Sequence, residues 1–281
     1  MIFKEFIKQY GTDEDCLRKI FVIRYGFKPY CVGCKTRRKF FKKTNRSVYE
    51  CMKGHQVSPL TGTIFTKSST PLRYWFYTIW LMSATRGGIS AKQIERELGV
   101  TYKTAWRMMK QIRILMGKRE GSLLKGIVEV DESFWNGAAK NRRYVANYNE
   151  KPQKIIMGMV EREGNVIMKK IETTGRPALM EQVEKYIDKK ALVMHDQWPA
   201  YTNLHKLGYA HYGIDHGKTY VSGKAHTNNI EGLWGRIKPG IKGVYRKVSS
   251  KYIESYMDEY CFRYNNRKTP DQMLEILLNQ I

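Results

Sequence analysis

The chain has 281 residues, 42% of them hydrophobic and 12% aromatic, which excludes wholesale disorder and leaves room for two or three folded units. Its 50 Lys/Arg against 26 Asp/Glu give a formal net charge of +24, and the excess is uneven: residues 1–120 hold 25 basic and 8 acidic side chains, residues 121–281 hold 25 and 18. A surface this basic attracts polyanions, so a nucleic acid is the expected partner. Five Cys, an odd number, argue against a disulfide framework. The start "MIFKEFIKQY" lacks a signal-peptide core, and the longest apolar run, Tyr74–Ala84, is too short to cross a bilayer. An intracellular protein without a membrane partner is expected, cytoplasmic and nucleoid-associated if bacterial.

Residues 1–28 read as a helical entry, with Phe3, Phe6, Ile7, Leu17, Ile20 and Phe21 at roughly helical spacing. Residues 29–68 have no long periodicity but carry "CVGC" (Cys31, Cys34) and then "CMKGH" (Cys51, His55). A C-x2-C pair followed by C-x3-H fits a zinc ribbon, in which two turns each present two ligands to one structural Zn²⁺. Three Cys and one His close the tetrahedron and leave no open position for chemistry. The basic loop between the pairs, from Lys35 to Arg46, is a candidate phosphate-contacting rim.

Residues 69–118 read as helical and contain "ISAKQIERELGVTYKTAWRMMKQIR" (Ile89–Arg113). Ser90 with Gln93 predicts a capping box, Gly99 a tight turn, and Thr101 the cap of a second helix. Ala105, Met108, Met109 and Ile112 would face inward and Lys103, Arg107 and Lys110 outward, the layout of a DNA-binding helix-turn-helix. The polar stretch Gly117–Gly126 is the expected boundary.

Residues 122–281 alternate strand and helix patterns. "LLKGIVEVDESFW" predicts a strand that carries Asp131 to its end; two further strands, an amphipathic helix (Arg176–Ile187) and a strand ending on Asp196 follow. The expected class is α/β, a mixed sheet with flanking helices. Acids at the ends of buried strands need a partner, because an isolated desolvated carboxylate is costly, and a divalent cation converts their mutual repulsion into binding. In "HTNNIEGLWGRIK" (His226–Lys238), Glu231 fits either the reciprocating acid of a helix capped by Asn228 or a third carboxylate at a metal. Lys238 lies two helical turns beyond it, on the same face.

The order Asp131, Asp196, Glu231 with Lys238 resembles the catalytic pattern of DDE transposases. "GTIF", "STPL", "VEVDESF", "HTNNIEGLWGRIK" and "FRYNNR" resemble insertion-sequence transposases of the group related to Merlin elements. The resemblance implies a ribonuclease H-like catalytic domain behind the zinc ribbon and helix-turn-helix, with Asp131, Asp196 and Glu231 holding Mg²⁺ or Mn²⁺. It implies cleavage at terminal inverted repeats and transfer of the freed 3′-hydroxyl to target DNA by a dimer or higher homo-oligomer. Lys103, Arg107, Lys110, Arg236, Lys242 and Arg246 are the expected DNA-binding side chains. Two departures stand out: His55 occupies a position where relatives often carry Cys, and some relatives use Asn for the third acid, which brings Asn228 and Asn229 beside Glu231. The alternatives are a ribonuclease H-like nuclease that cuts without joining and a catalytically silent DNA-binding regulator.

Overall fold

The computed structural model describes residues 1–44, 46–118, 122–135, 154–196, 198–214 and 226–281. Two compact units divide the chain: Met1–Lys118 with Thr269–Ile281, and Arg119–Lys268. The expected catalytic segment 122–281 therefore ends early. Its last residues belong with the first unit, and part of the expected boundary Gly117–Gly126 lies outside the described residues.

The first unit opens with helices α1 (Phe3–Tyr10) and α2 (Asp13–Tyr25). Thr12 caps α2 by accepting from the Asp15 N–H, and three acids fill its first turn, where the helix dipole favours them. Phe6, Leu17, Ile20 and Phe21 are buried as expected, whereas Phe3 and Ile7 stay exposed. Five short strands follow, β1 (Tyr30–Cys31), β2 (Thr36–Arg37), β3 (Phe40–Lys42), β4 (Tyr49–Cys51) and β5 (Gln56–Val57), all paired antiparallel. Then come α3 (Leu72–Ala84), α4 (Ala91–Leu98) and α5 (Tyr102–Met116).

Gly99 ends α4 in the left-handed region (φ 63°), which a residue without Cβ adopts freely, and Thr101 caps α5 through the Thr104 N–H. The Ser90 box forms by half: Ser90 accepts from the Gln93 N–H, but the Gln93 amide donates to Glu97, one turn on. The C-terminal segment closes this unit, because Glu275 accepts from the Tyr10 hydroxyl at 2.6 Å and from Lys19 at 2.5 Å.

The second unit is built on strands β6 (Ile127–Phe134), β7 (Ile155–Glu161), β8 (Val166–Ile171), β9 (Leu192–Asp196) and β10 (Ala210–Ile214). Their order is β10-β9-β6-β7-β8; β6, β9 and β10 run parallel, and β7 is antiparallel to both neighbours. Helix α6 (Arg176–Tyr186) makes the crossover from β8 to β9, followed by a 3-10 helix, Pro199–Leu207. Helices α7 (Asn228–Gly240) and α8 (Ile253–Asn265) come after β10.

Period-two alternation sorts the strand side chains onto two faces. Val128, Val130, Met157, Met159 and Val193 pack with α6 and the 3-10 helix, while Ile156, Val160, Val166 and Met168 pack with α7 and α8. This is the expected ribonuclease H-like mixed sheet with helices on both sides. One expectation is corrected: Asp131 is not a strand-end residue, because β6 continues through Phe134 and pairs Asp131 with Gly158 of β7.

Candidate active site and metal centre

The register of the parallel pair fixes where the acids fall. β6 and β9 align Val128 with Val193 and Glu129 with Met194. The paired stretch ends there, so Asp131 and Asp196 each lie two residues past the last bridged pair, on neighbouring strands. The alternation that sends Val130 and Val193 into the α6 side sends Asp131 and Asp196 to the α7 side. Helix α7 lies over that side with Ile230, Leu233, Trp234 and Ile237 buried and Glu231, Arg236 and Lys238 exposed.

Burial pushes Asp131 up to about 6; the negative charges of Asp196 and Glu231 push the same way, against the indole N–H of Trp234, which donates to Oδ2 at 2.9 Å. Asp196 accepts from the Trp198 N–H through its own Oδ1 at 3.3 Å. Glu231 Oε1 accepts from the hydroxyl of Thr227 at 3.0 Å. Three carboxylates on one face, near enough that two of them raise the third, form a candidate divalent-cation site.

Sequence reasoning missed two further carboxylates. Glu132, next in β6, points to the opposite face and accepts from the buried Tyr201 hydroxyl; burial and the charges of Asp131 and Asp196 push it up to about 7. Glu129, two residues before Asp131 and so on the α7 side, is fully buried. The signal for Glu129 was present in "VEVDE", where period two puts it on the face of Asp131. Glu132 carried no such signal, since its partner lies 69 residues away.

The helix start differs from expectation. Thr227, not Asn228, occupies the cap position, and no side chain of the segment caps the helix. The backbone N–H groups of Asn229 and Ile230 donate instead to Glu129 Oε2, at 2.9 and 3.1 Å. Close approach of α7 to the sheet depends on Gly158: a Cβ there would lie 2.6 Å from Ile230 Cδ1 and 2.7 Å from Trp234 Cζ2.

A second centre stands in the first unit. Cys31, Cys34, Cys51 and His55 form, among the described residues, the one group of three or more His, Cys, Asp or Glu whose ligand atoms all lie within 4.8 Å of one another; the carboxylates are set wider. Sγ of Cys51 is 3.8 Å from that of Cys31 and 3.9 Å from that of Cys34, and His55 Nδ1 is 3.3–3.6 Å from all three. A tetrahedron with Zn–S bonds of 2.3 Å has S···S edges of about 3.8 Å, so the donor set fits Zn²⁺ without rearrangement. Burial would raise the Cys51 thiol, but the N–H groups of Lys53 and His55 and the His55 ring outweigh it and hold it at about 6, favouring the thiolate. Gly33 lets the ring in, since a Cβ there would sit 2.5 Å from it.

The basic side chains divide into two groups. Lys103, Arg236, Lys238, Lys242 and Arg246 are exposed. Arg107 is turned back into its own unit: it donates to Ser68 Oγ at 3.1 Å and Thr70 Oγ1 at 3.3 Å, and stacks over Trp75. Lys110 is half-buried and lies over the Trp106 ring.

The mixed sheet carries two acids on adjacent parallel strands, and the helix that covers them carries a third. The chain belongs to the family of ISXO2-like transposase domains, whose model matches residues 123–265. It is 28% identical over 140 residues to an uncharacterized protein in transposable element ISH50 of Halobacterium salinarum, a match that takes in 48% of this chain and 46% of that protein. The chain thus spans about half the length of this curated relative. Among solved structures it is similar to the Mos1 strand transfer complex (13% identity, 76% of this chain and 80% of that one, TM-score 0.31) and the Mos1 paired-end complex with Mn (13%, 69% and 75%, TM-score 0.30). The assignment rests on the family match. No described helix is long and apolar enough to cross a membrane.

Proposed function

We propose that the chain is a DNA transposase that binds the terminal inverted repeats of its insertion sequence, cuts at the repeat ends and joins the freed 3′-hydroxyl to target DNA. One observation carries this reading: Asp131 and Asp196 share a sheet face on adjacent parallel strands, near enough to Glu231 that both other charges raise Asp131. Asp131, Asp196 and Glu231 would hold Mg²⁺ or Mn²⁺, which supplies an activated water and neutralises charge building on the phosphoryl oxygens.

The chain's own residues do the rest. Lys238, exposed two turns from Glu231, sets an ammonium where a DNA phosphate meets that face. Trp234 orients Asp131 through its indole N–H. Arg236, Lys242 and Arg246 extend the positive surface along and beyond α7 and would grip backbone near the cut. In the first unit, α5 would enter the major groove, with Lys103 exposed on it. Arg107 and Lys110 would contribute less than their spacing suggests, because protein groups already engage them. The ribbon would carry one structural Zn²⁺. Two transposon ends must be held together, so the working form is a dimer or higher oligomer on DNA, at the intracellular location that such a substrate requires.

The experiment is a strand-transfer assay with Mg²⁺ on duplexes ending in the inverted repeats that flank the chain's own gene. Joined products are expected. Cleavage without joining would identify the nuclease alternative, and repeat binding with neither would identify the silent regulator.

A further inference from the structure

Glu129 is the most completely enclosed acid of the second unit's sheet, with a relative exposure of 0%. It sits on the same face as Asp131, two residues earlier in β6. Oε1 accepts from Arg162 Nε at 2.7 Å and from the side-chain amide of Asn229 at 2.8 Å, and His226 Nδ1 stands 3.4 Å away. Oε2 accepts from the backbone N–H groups of Asn229 and Ile230. Arg162 also reaches the carbonyl of His226 at 2.7 Å, so both sides of the segment entering α7 are tied to the β6–β7 pair.

A carboxylate buried this deeply without serving the reaction is costly unless its contacts do something that a hydrophobic residue could not. These contacts fix a register. Helix α7 has no side-chain cap hydrogen bond from its own N-cap residue, and two N–H groups at its positive end donate to Glu129. Glu231 follows the latched residues directly. Three residues beyond it, Trp234 ties the helix to Asp131. Two struts from β6 therefore bracket Glu231, one before it and one after.

We propose that Glu129 and Asn229 form a positioning latch that sets the rotation and height of α7, and so brings Glu231 to the carboxylate pair. Asn229 serves this latch through both its backbone and side-chain N–H groups and is not a metal ligand. The inference rests on the metal-site reading above and assigns roles to residues outside it. It also gives the asparagines beside Glu231 a role: the side-chain N–H of Asn229 is held by Glu129, and Asn228 stays exposed at the first helical position.

The test uses the full zinc-loaded chain and Mn²⁺ alone as probe, with free Mn²⁺ read by electron paramagnetic resonance. Wild type should bind Mn²⁺, and Asp131→Asn should abolish that binding. Glu129→Gln places an amide N–H against donors and should weaken Mn²⁺ binding at least tenfold. Asn229→Asp is the discriminating variant. Asn229 is exposed, and the substitution sets a like charge against Glu129, so the circular dichroism melt is followed alongside binding. The latch predicts at least a tenfold loss for Asn229→Asp, with the circular dichroism melt retained. Were Asn229 a ligand, the added carboxylate would hold Mn²⁺ as well as wild type or better, and that result overturns the proposal. If Glu129→Gln does not fold, Asn229→Asp decides alone. Wild-type Mn²⁺ binding that is indifferent to Asp131→Asn would instead sink the metal-site reading itself.

Discussion

The indole N–H of Trp234 donates to Oδ2 of Asp131 at 2.9 Å, joining the helix that carries Glu231 to the strand that carries the first acid. The contact holds Asp131 below where burial and its acidic neighbours would otherwise drive it. Trp234→Phe keeps the apolar packing and removes the donor. It should raise Asp131 further and move the acidic limb of the cleavage rate profile to higher pH by roughly half a unit to one unit, at about 1 kcal/mol of stability. An unshifted profile would separate the bond from catalysis.

Gly158 is where the helix and sheet come closest. Gly158→Ala puts a Cβ 2.6–2.7 Å from Ile230 and Trp234, so α7 must move outward. The expected cost is about 1–3 kcal/mol in denaturant unfolding, with Mg²⁺-dependent cleavage falling more steeply than stability alone would require. Cleavage intact in a destabilised Gly158→Ala protein would contradict the close-approach argument.

The raised carboxyls give the metal-free protein a definite pH dependence. A carboxyl with its folded-state pKa above the unfolded value stabilises the fold while protonated. That contribution is whole below about pH 4 and is lost as pH rises through about 6 for Asp131 and about 7 for Glu132. For Asp131 the loss is at most about 3 kcal/mol. Without Mg²⁺, melting temperature should therefore fall between pH 4.5 and 7.5, on the order of several degrees. Mg²⁺ should restore it, and Asp131→Asn should flatten both responses. A melting temperature that climbs over this range without Mg²⁺ would go against the assigned shifts.

At the ribbon, the prediction is one zinc per chain, lost or weakened in Cys31→Ser. Gly33→Ala probes the same centre without touching a ligand, because its Cβ would collide with the His55 ring. It should weaken zinc retention at least tenfold against a colorimetric chelator. Metal-free protein that folds fully would remove the zinc assignment.

How much of this could be read beforehand depended on whether the controlling contacts were local. The Cys3His cluster was legible because both pairs sit in single turns, and the turn between α4 and α5 because Gly99 and Thr101 act within a few residues of themselves. Asp131 and Asp196 stood out in the sequence because each follows a strong hydrophobic run. The position of Asp131 within its strand was not legible, because β6 continues through polar residues that pair with the apolar run of β7. Arg107 was expected to face outward from helical spacing alone, but Ser68, Thr70 and Trp75, more than thirty residues earlier in sequence, claim its guanidinium. The cap of α7 was misplaced for the same reason: its acceptor, Glu129, lies a hundred residues upstream. The C-terminal Glu275, held by Tyr10 and Lys19, carries no local sign of joining the first unit.

The measurement that bears most directly on the central claim is cleavage and joining of repeat-ended DNA by Asp131→Asn and Asp196→Asn, with repeat binding followed in parallel by mobility shift. Each substitution keeps the side-chain volume and removes one negative charge from the shared face. The account predicts that both variants bind the repeats within a few-fold of wild type and produce no cut or joined strands in Mg²⁺. Unimpaired cleavage by either one would contradict it.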